Sequence, residues 1–66
     1  MSPRQLGMRL RRIRKAKGLT QDALAKRARI TRIYVINLEA GKYDPTVGVA
    51  KRLARALGVP VTELLE

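Results

Sequence analysis

Arg32, Ile33, Ile36 and Asn37 stand at i, i+1, i+4 and i+5, the spacing that places four side chains on one stripe of an α-helix. Their types suit the edges of base pairs. A guanidinium can form two parallel hydrogen bonds to O6 and N7 of guanine, and an asparagine carboxamide pairs in the same sense with N6 and N7 of adenine. Arg32 is the leading candidate for sequence discrimination, since a good bidentate pair contributes about 1 to 3 kcal/mol of it. Both residues have plainer uses: Arg32 can hold a phosphate without reading sequence, and Asn37 can hold backbone. Ile33 and Ile36 could meet thymine methyl groups, or a rotated helix could send them to the core or to a subunit interface. Catalysis finds no support. Cys and His are absent, which also removes disulfides and the usual zinc ligands, and the 5 acidic residues are too scattered to form a general acid–base pair. The sequence therefore predicts no catalytic residue, no metal and no cofactor.

A stripe of this kind works only if neighbouring elements hold its helix outward. Apolar residues recur three and four apart along most of the chain, which predicts an all-α bundle of five short helices. Leu6, Leu10 and Ile13 mark the inner face of a first helix from about Arg4 to Lys17, stopped where Gly18 can turn left-handed. Thr20 caps a second helix, about Gln21 to Ala28, buried through Leu24, Ala25 and Ala28. Thr31, preceded by apolar Ile30, caps a third, about Arg32 to Ala40, with Val35 and Leu38 pointing inward. Gly41 to Pro45 concentrate breakers and turn formers, so the chain changes direction there. Thr46 caps a fourth helix with the inward stripe Val47, Ala50, Leu53 and Leu57, Gly58 closes it, and Pro60 starts a last short turn. Gly48 inside the fourth helix costs about 1 kcal/mol relative to alanine, and nothing in the sequence explains it. Only Arg29 to Thr31 separate the second and third helices. So short a connection forces a sharp angle and holds the third helix proud of the surface, where a DNA major groove is wide enough to admit it.

Charge points to the same kind of partner. Fifteen Lys and Arg against five Asp and Glu leave a net charge of +10 on 66 residues. Residues 4–32 hold eleven of the basic groups and one acid, Asp22, whereas residues 33–66 hold four of each sign. A potential concentrated in one half of a chain is the footprint of a polyanion-binding face. No repeat, low-complexity tract or linker appears, so residues 1–66 read as a single domain. No apolar run approaches the roughly 20 residues of a membrane span, and none follows the basic start as in a signal peptide. A soluble intracellular protein without membrane contact is expected.

The segment GLTQDALAKRARITRIYVINLEAGK, residues 18–42, resembles the helix-turn-helix of the lambda-repressor and Cro family, also called the xenobiotic-response-element-like regulators. Leu19-Thr20-Gln21, Leu24-Ala25, Thr31, Tyr34-Val35, Leu38-Glu39, Gly41-Lys42, Pro45 and Leu53 to Val59 look like that family's pattern in order and spacing, so the likeness covers nearly the whole chain. It implies a lambda-repressor-like fold and a transcriptional regulator, a repressor in the first instance, bound to double-stranded operator DNA in the cytoplasm, at the nucleoid of a prokaryotic cell or its phage. An antitoxin, which binds DNA on the same fold and takes a second protein partner, is the other reading that the resemblance allows.

Roles carry over position by position. Thr31, Arg32, Ile33, Ile36 and Asn37 occupy the positions that in the family meet bases or flanking phosphates. Gln21 matches a glutamine that touches a phosphate and braces the recognition helix, although plain capping is the alternative. Tyr34 fits a position whose ring packs while its hydroxyl reaches a phosphate, and Lys42 is a further phosphate candidate. Arg14 and Glu39 match a partly buried ion pair that braces the first helix against the third. Arg29 departs from the pattern, standing where the family usually has glycine in the turn. Either the turn is altered or a strain of roughly 1 to 2 kcal/mol is tolerated, with the guanidinium near the DNA backbone or in solvent.

The resemblance also implies a homodimer. One module reading four or five bases cannot select a site in a genome, whereas two modules one helical turn apart on a palindrome can. Val59, Val61, Leu64 and Leu65 form an apolar patch in the neutral half that suits a symmetric contact. Packing of the same patch on the first helix would instead leave a monomer until DNA is met.

Overall fold

Four hydroxyl groups start four of the helices. A computed structural model describes every residue from Met1 to Glu66 as five helices and no strand: α1 (Pro3–Ala16), α2 (Gln21–Ala28), α3 (Arg32–Glu39), α4 (Val47–Leu57) and α5 (Val61–Leu65). The side chains of Ser2, Thr20, Thr31 and Thr46 each accept a hydrogen bond from the backbone N–H three residues on, satisfying a donor that the helix itself cannot. At Ser2 the exchange is reciprocal, because the Gln5 side chain accepts from the Ser2 N–H. That capping box, with Pro3 in the first turn, starts α1 one residue earlier than the apolar pattern suggests. Pro60 precedes α5 with no side-chain cap. No helix is long and apolar enough to cross a membrane.

α2 lies between α3 and α4, α1 packs on α3 and on α5, and α4 packs on α5. The shared core is Leu6, Leu10 and Ile13 from α1, Leu24, Ala25 and Ala28 from α2, Val35 and Leu38 from α3, Leu53 and Leu57 from α4, and Leu64 from α5. These are the stripes that the three-and-four spacing marks out, with two exceptions. Val47 is 68 % exposed instead of facing inward. It is the first residue of α4, and there it borders a hollow beside Met1, Pro45 and Leu65 where no helix covers it. Leu64 is fully buried against the α1 side of the core, which removes it from the surface patch expected to meet a second subunit. Of the other patch residues, Val59 and Val61 are half-buried and Leu65 is 39 % exposed.

Gly7 sets how closely α1 can approach α3. A Cβ built there would lie 2.4 Å from the Leu38 carbonyl oxygen and 2.8 Å from that of Glu39. Both obstacles are backbone, so any larger residue would have to push the helices apart. The end of α3 is thereby held against α1.

Candidate nucleic-acid interface

The turn between α2 and α3 rests on one unusual residue. Arg29 has φ 58° and ψ 45°, left-handed values that glycine adopts freely and other residues adopt at a cost. The turn thus keeps the geometry that glycine would give, and the strain is tolerated. The Arg29 N–H donates to the carbonyls of α2's last turn and the Ile30 N–H donates 3.0 Å to the Ala25 carbonyl, closing α2 in the Schellman manner. Two residues later Thr31 accepts from the Tyr34 N–H at 3.0 Å and α3 begins.

A buried clamp fixes the C-terminal end of α3. Glu39, at its last turn, receives Arg14 Nε at 2.6 Å and Arg14 Nη2 at 3.0 Å, a bidentate fork from α1. Arg14 Nη1 donates at 2.8 Å to the Leu19 carbonyl, and Gln21 Nε2 from α2 donates to Glu39 Oε1 at 3.1 Å. The two charged side chains are only 9 % and 4 % exposed, and no buried side-chain polar atom lacks a partner. Three elements therefore meet on one carboxylate. The sequence resemblance names Arg14, Glu39 and a bracing glutamine, but the Leu19 carbonyl and the joining of Gln21 to the same oxygen become visible only in three dimensions.

With its last turn clamped, α3 leaves its first turn free. Thr31, Arg32 and Ile33 are exposed, Ile33 by 65 %, while Ile36 and Asn37 are half-buried further along the stripe. Ile33 is therefore not a core residue, as a rotated helix would have made it. The helix starts toward solvent with the N–H groups of Arg32 and Ile33 lacking a backbone acceptor, a partial positive charge next to the Arg32 guanidinium. Gln21 opens α2 in the same way: its own N–H and that of Asp22 have no backbone acceptor, and its side chain holds Glu39. Tyr34 packs its ring on the core and meets Tyr43 edge to face, with centroids 5.2 Å apart and planes at 79°. That pairing pins the loop after α3, in which Lys42 is exposed. Sequence spacing gave no sign of Tyr43, whose partner is set by the loop's path. Arg9 and Arg12 lie elsewhere, around a hollow shared with Met8 and Leu65, and Arg9 donates to the Glu66 carbonyl.

Two helices joined by a three-residue turn, the second clamped inside and bare outside, make a helix-turn-helix, and residues 10–64 match the family of that description. The chain belongs to the helix-turn-helix family, of Cro/C1 type. The family's members are DNA-binding transcription regulators, and none of the relatives found is named as an enzyme. An uncharacterized HTH-type transcriptional regulator of Methanothermobacter thermautotrophicus is 51 % identical over 49 residues, covering 74 % of this chain and 71 % of that protein. The immunity repressor protein of Bacillus phage phi105 is 35 % identical over 60 residues, 91 % of this chain but 42 % of the repressor. Among solved structures, the restriction-modification controller protein C.AhdI from Aeromonas hydrophila superposes with a TM-score of 0.92 at 37 % identity, covering 94 % of each chain. The five-helix, lambda-repressor-like fold of this helix-turn-helix protein is thus shared along nearly the whole chain.

Proposed function

We propose that the chain is a transcriptional repressor that binds operator DNA as a symmetric dimer, with α3 of each protomer in a major groove. The observation that carries this reading is the exposed start of α3, where Thr31, Arg32 and Ile33 face solvent on a helix clamped at its last turn. Arg32 reads guanine, Ile33 and Ile36 contact thymine methyl groups, and Asn37 pairs with adenine or steadies the backbone. Gln21 with the open amides of α2, Tyr34 through its hydroxyl, and Lys42 hold phosphates and fix the register. Repression is favoured by the likeness to a phage immunity repressor. The partner surface is the end of α4 and α5, through Val59, Val61 and Leu65, which lies in the half of the chain that carries no net charge. Such a dimer would sit in the cytoplasm, on the nucleoid.

Comparing Arg32→Ala with Lys42→Ala on the preferred duplex and on random DNA tests the assignment of roles. Arg32→Ala loses about 1 to 3 kcal/mol on the preferred site alone, whereas Lys42→Ala weakens both alike and flattens the salt dependence by about one phosphate. Equal losses on both duplexes from Arg32→Ala would remove it from base readout.

A further inference from the structure

Four exposed arginines line one hollow in a part of the molecule that α3 does not occupy. Arg27 and Arg29 at the end of α2, and Arg52 and Arg55 on α4, wall a hollow of about 280 Å³ whose remaining lining is Ala28 and Ala56. No carboxylate enters it. The ion pairs of the molecule are Arg14 with Glu39 and Lys26 with Asp22, so none of the four arginines is neutralised within the chain. Four like charges around one concavity repel one another, and small side chains at its floor keep it open.

Helix dipoles account for part of this arrangement only. Arg27 lies in the last turn of α2 and Arg55 in the last turn of α4, where a cation is favoured. Arg52 is in the interior of α4, and Arg29 lies beyond α2, at a left-handed position where glycine would be free of strain. A residue that strains the backbone and adds to an unpaired positive cluster implies an occupant of opposite charge. A single carboxylate would offset one guanidinium. The planar forks match phosphate oxygens bidentately, and a group with two or more negative charges is needed to bridge the α2 pair and the α4 pair. The volume lies just below the range of drug-sized pockets, which suits a phosphate or pyrophosphate group better than a whole nucleotide.

We propose that this hollow is a binding site for phosphate groups, separate from the recognition stripe of α3. The chemistry is shared by a free phosphate ester and by a phosphodiester of DNA that passes beside α2. The assignment stands whether or not α3 reads sequence, because it rests on the four arginines and their lack of partners.

The test is titration of the full chain with inorganic pyrophosphate at constant ionic strength, following the arginine Nε–Hε resonances by NMR. Saturable shifts confined to Arg27, Arg29, Arg52 and Arg55 are expected. Arg29→Gly/Arg55→Gln should weaken pyrophosphate at least tenfold. The charge-matched pair Arg11→Gln/Lys51→Gln, exposed residues outside the hollow, should bind as the parent does. Arg29→Gly relieves backbone strain, so loss of binding in a folded variant cannot be put down to misfolding, and the amide spectrum checks this. Shifts that do not saturate, or equal weakening in both double variants, would mean diffuse attraction to net charge and would overturn the site. Equal affinity for triglutamate would also overturn it, assigning the hollow to acidic peptide. Adding duplex DNA then identifies the source of the phosphate. Displacement of pyrophosphate means a DNA phosphodiester occupies the hollow, and joint binding means a free phosphate ester does; both outcomes uphold the site.

Discussion

Replacing Glu39 by alanine removes the acceptor on which α1, α2 and α3 meet. Arg14 would keep its bond to the Leu19 carbonyl but lose both bonds to the carboxylate, and its side chain is only 9 % exposed. Leaving a buried charge without its partner costs about 3 to 5 kcal/mol. A domain of this length has roughly 3 to 10 kcal/mol of stability at about 0.05 to 0.15 kcal/mol per residue, so the variant loses a large share of it, and all of it at the lower end of that range. At about 4 to 8 °C per kcal/mol, the melting temperature drops by roughly 12 °C or more. Asp22→Ala is the internal comparison: its pair with Lys26 is exposed, with side chains 54 % and 78 % accessible, and should contribute well under about 1 kcal/mol. Urea unfolding followed by far-UV circular dichroism measures both. The double variant Arg14→Met/Glu39→Met, which leaves no unpaired charge, should be more stable than Glu39→Ala. If Glu39→Ala cost no more than Asp22→Ala, the carboxylate would not be what organises the three helices.

Three further outcomes follow from packing and backbone. Gly7→Ala should lose about 1 to 3 kcal/mol in thermal unfolding, because its Cβ meets the Leu38 and Glu39 carbonyls and neither can yield without moving a helix. Gly48→Ala should raise stability by about 0.5 to 1 kcal/mol, since the position is helical and the nearest atom to its Cβ is the Thr46 hydroxyl oxygen at 4.0 Å; no gain would mean that Gly48 serves a contact outside this chain. Leu64→Ala should cost about 2 to 5 kcal/mol by urea unfolding, whereas Leu65→Ala should cost much less and should act instead on self-association, measured by sedimentation.

The helix-turn-helix is legible in the sequence because its ends are punctuated chemically. A threonine precedes each of α2, α3 and α4, and Gly18 and Gly58 take the left-handed conformation that closes α1 and α4. The buried stripes follow from spacing alone. What spacing cannot give is where a helix outruns its cover, which is why Val47 reads as core yet lies open, and why Leu64 reads as surface yet lies inside. Gly7 carried a signal that goes unused without a partner in view: a glycine beside the apolar stripe of Leu6, Leu10 and Ile13 marks close helix approach, but α3 must be placed first. The arginine hollow is the least legible feature. Arg27, Arg29, Arg52 and Arg55 are far apart in sequence, and only the packing of α2 against α4 brings them together.

Sequence-selective binding through α3 is the central claim, and its most direct measurement begins with selecting bound duplexes from a random pool. Affinity of the chain is then compared on the winner and on a scrambled duplex at two salt concentrations. A palindromic winner preferred by about 1000-fold, with the preference retained as salt weakens both complexes, is the predicted result. Equal affinity for both duplexes, with the same steep loss in salt, would contradict it and leave a basic surface that holds phosphates without reading bases.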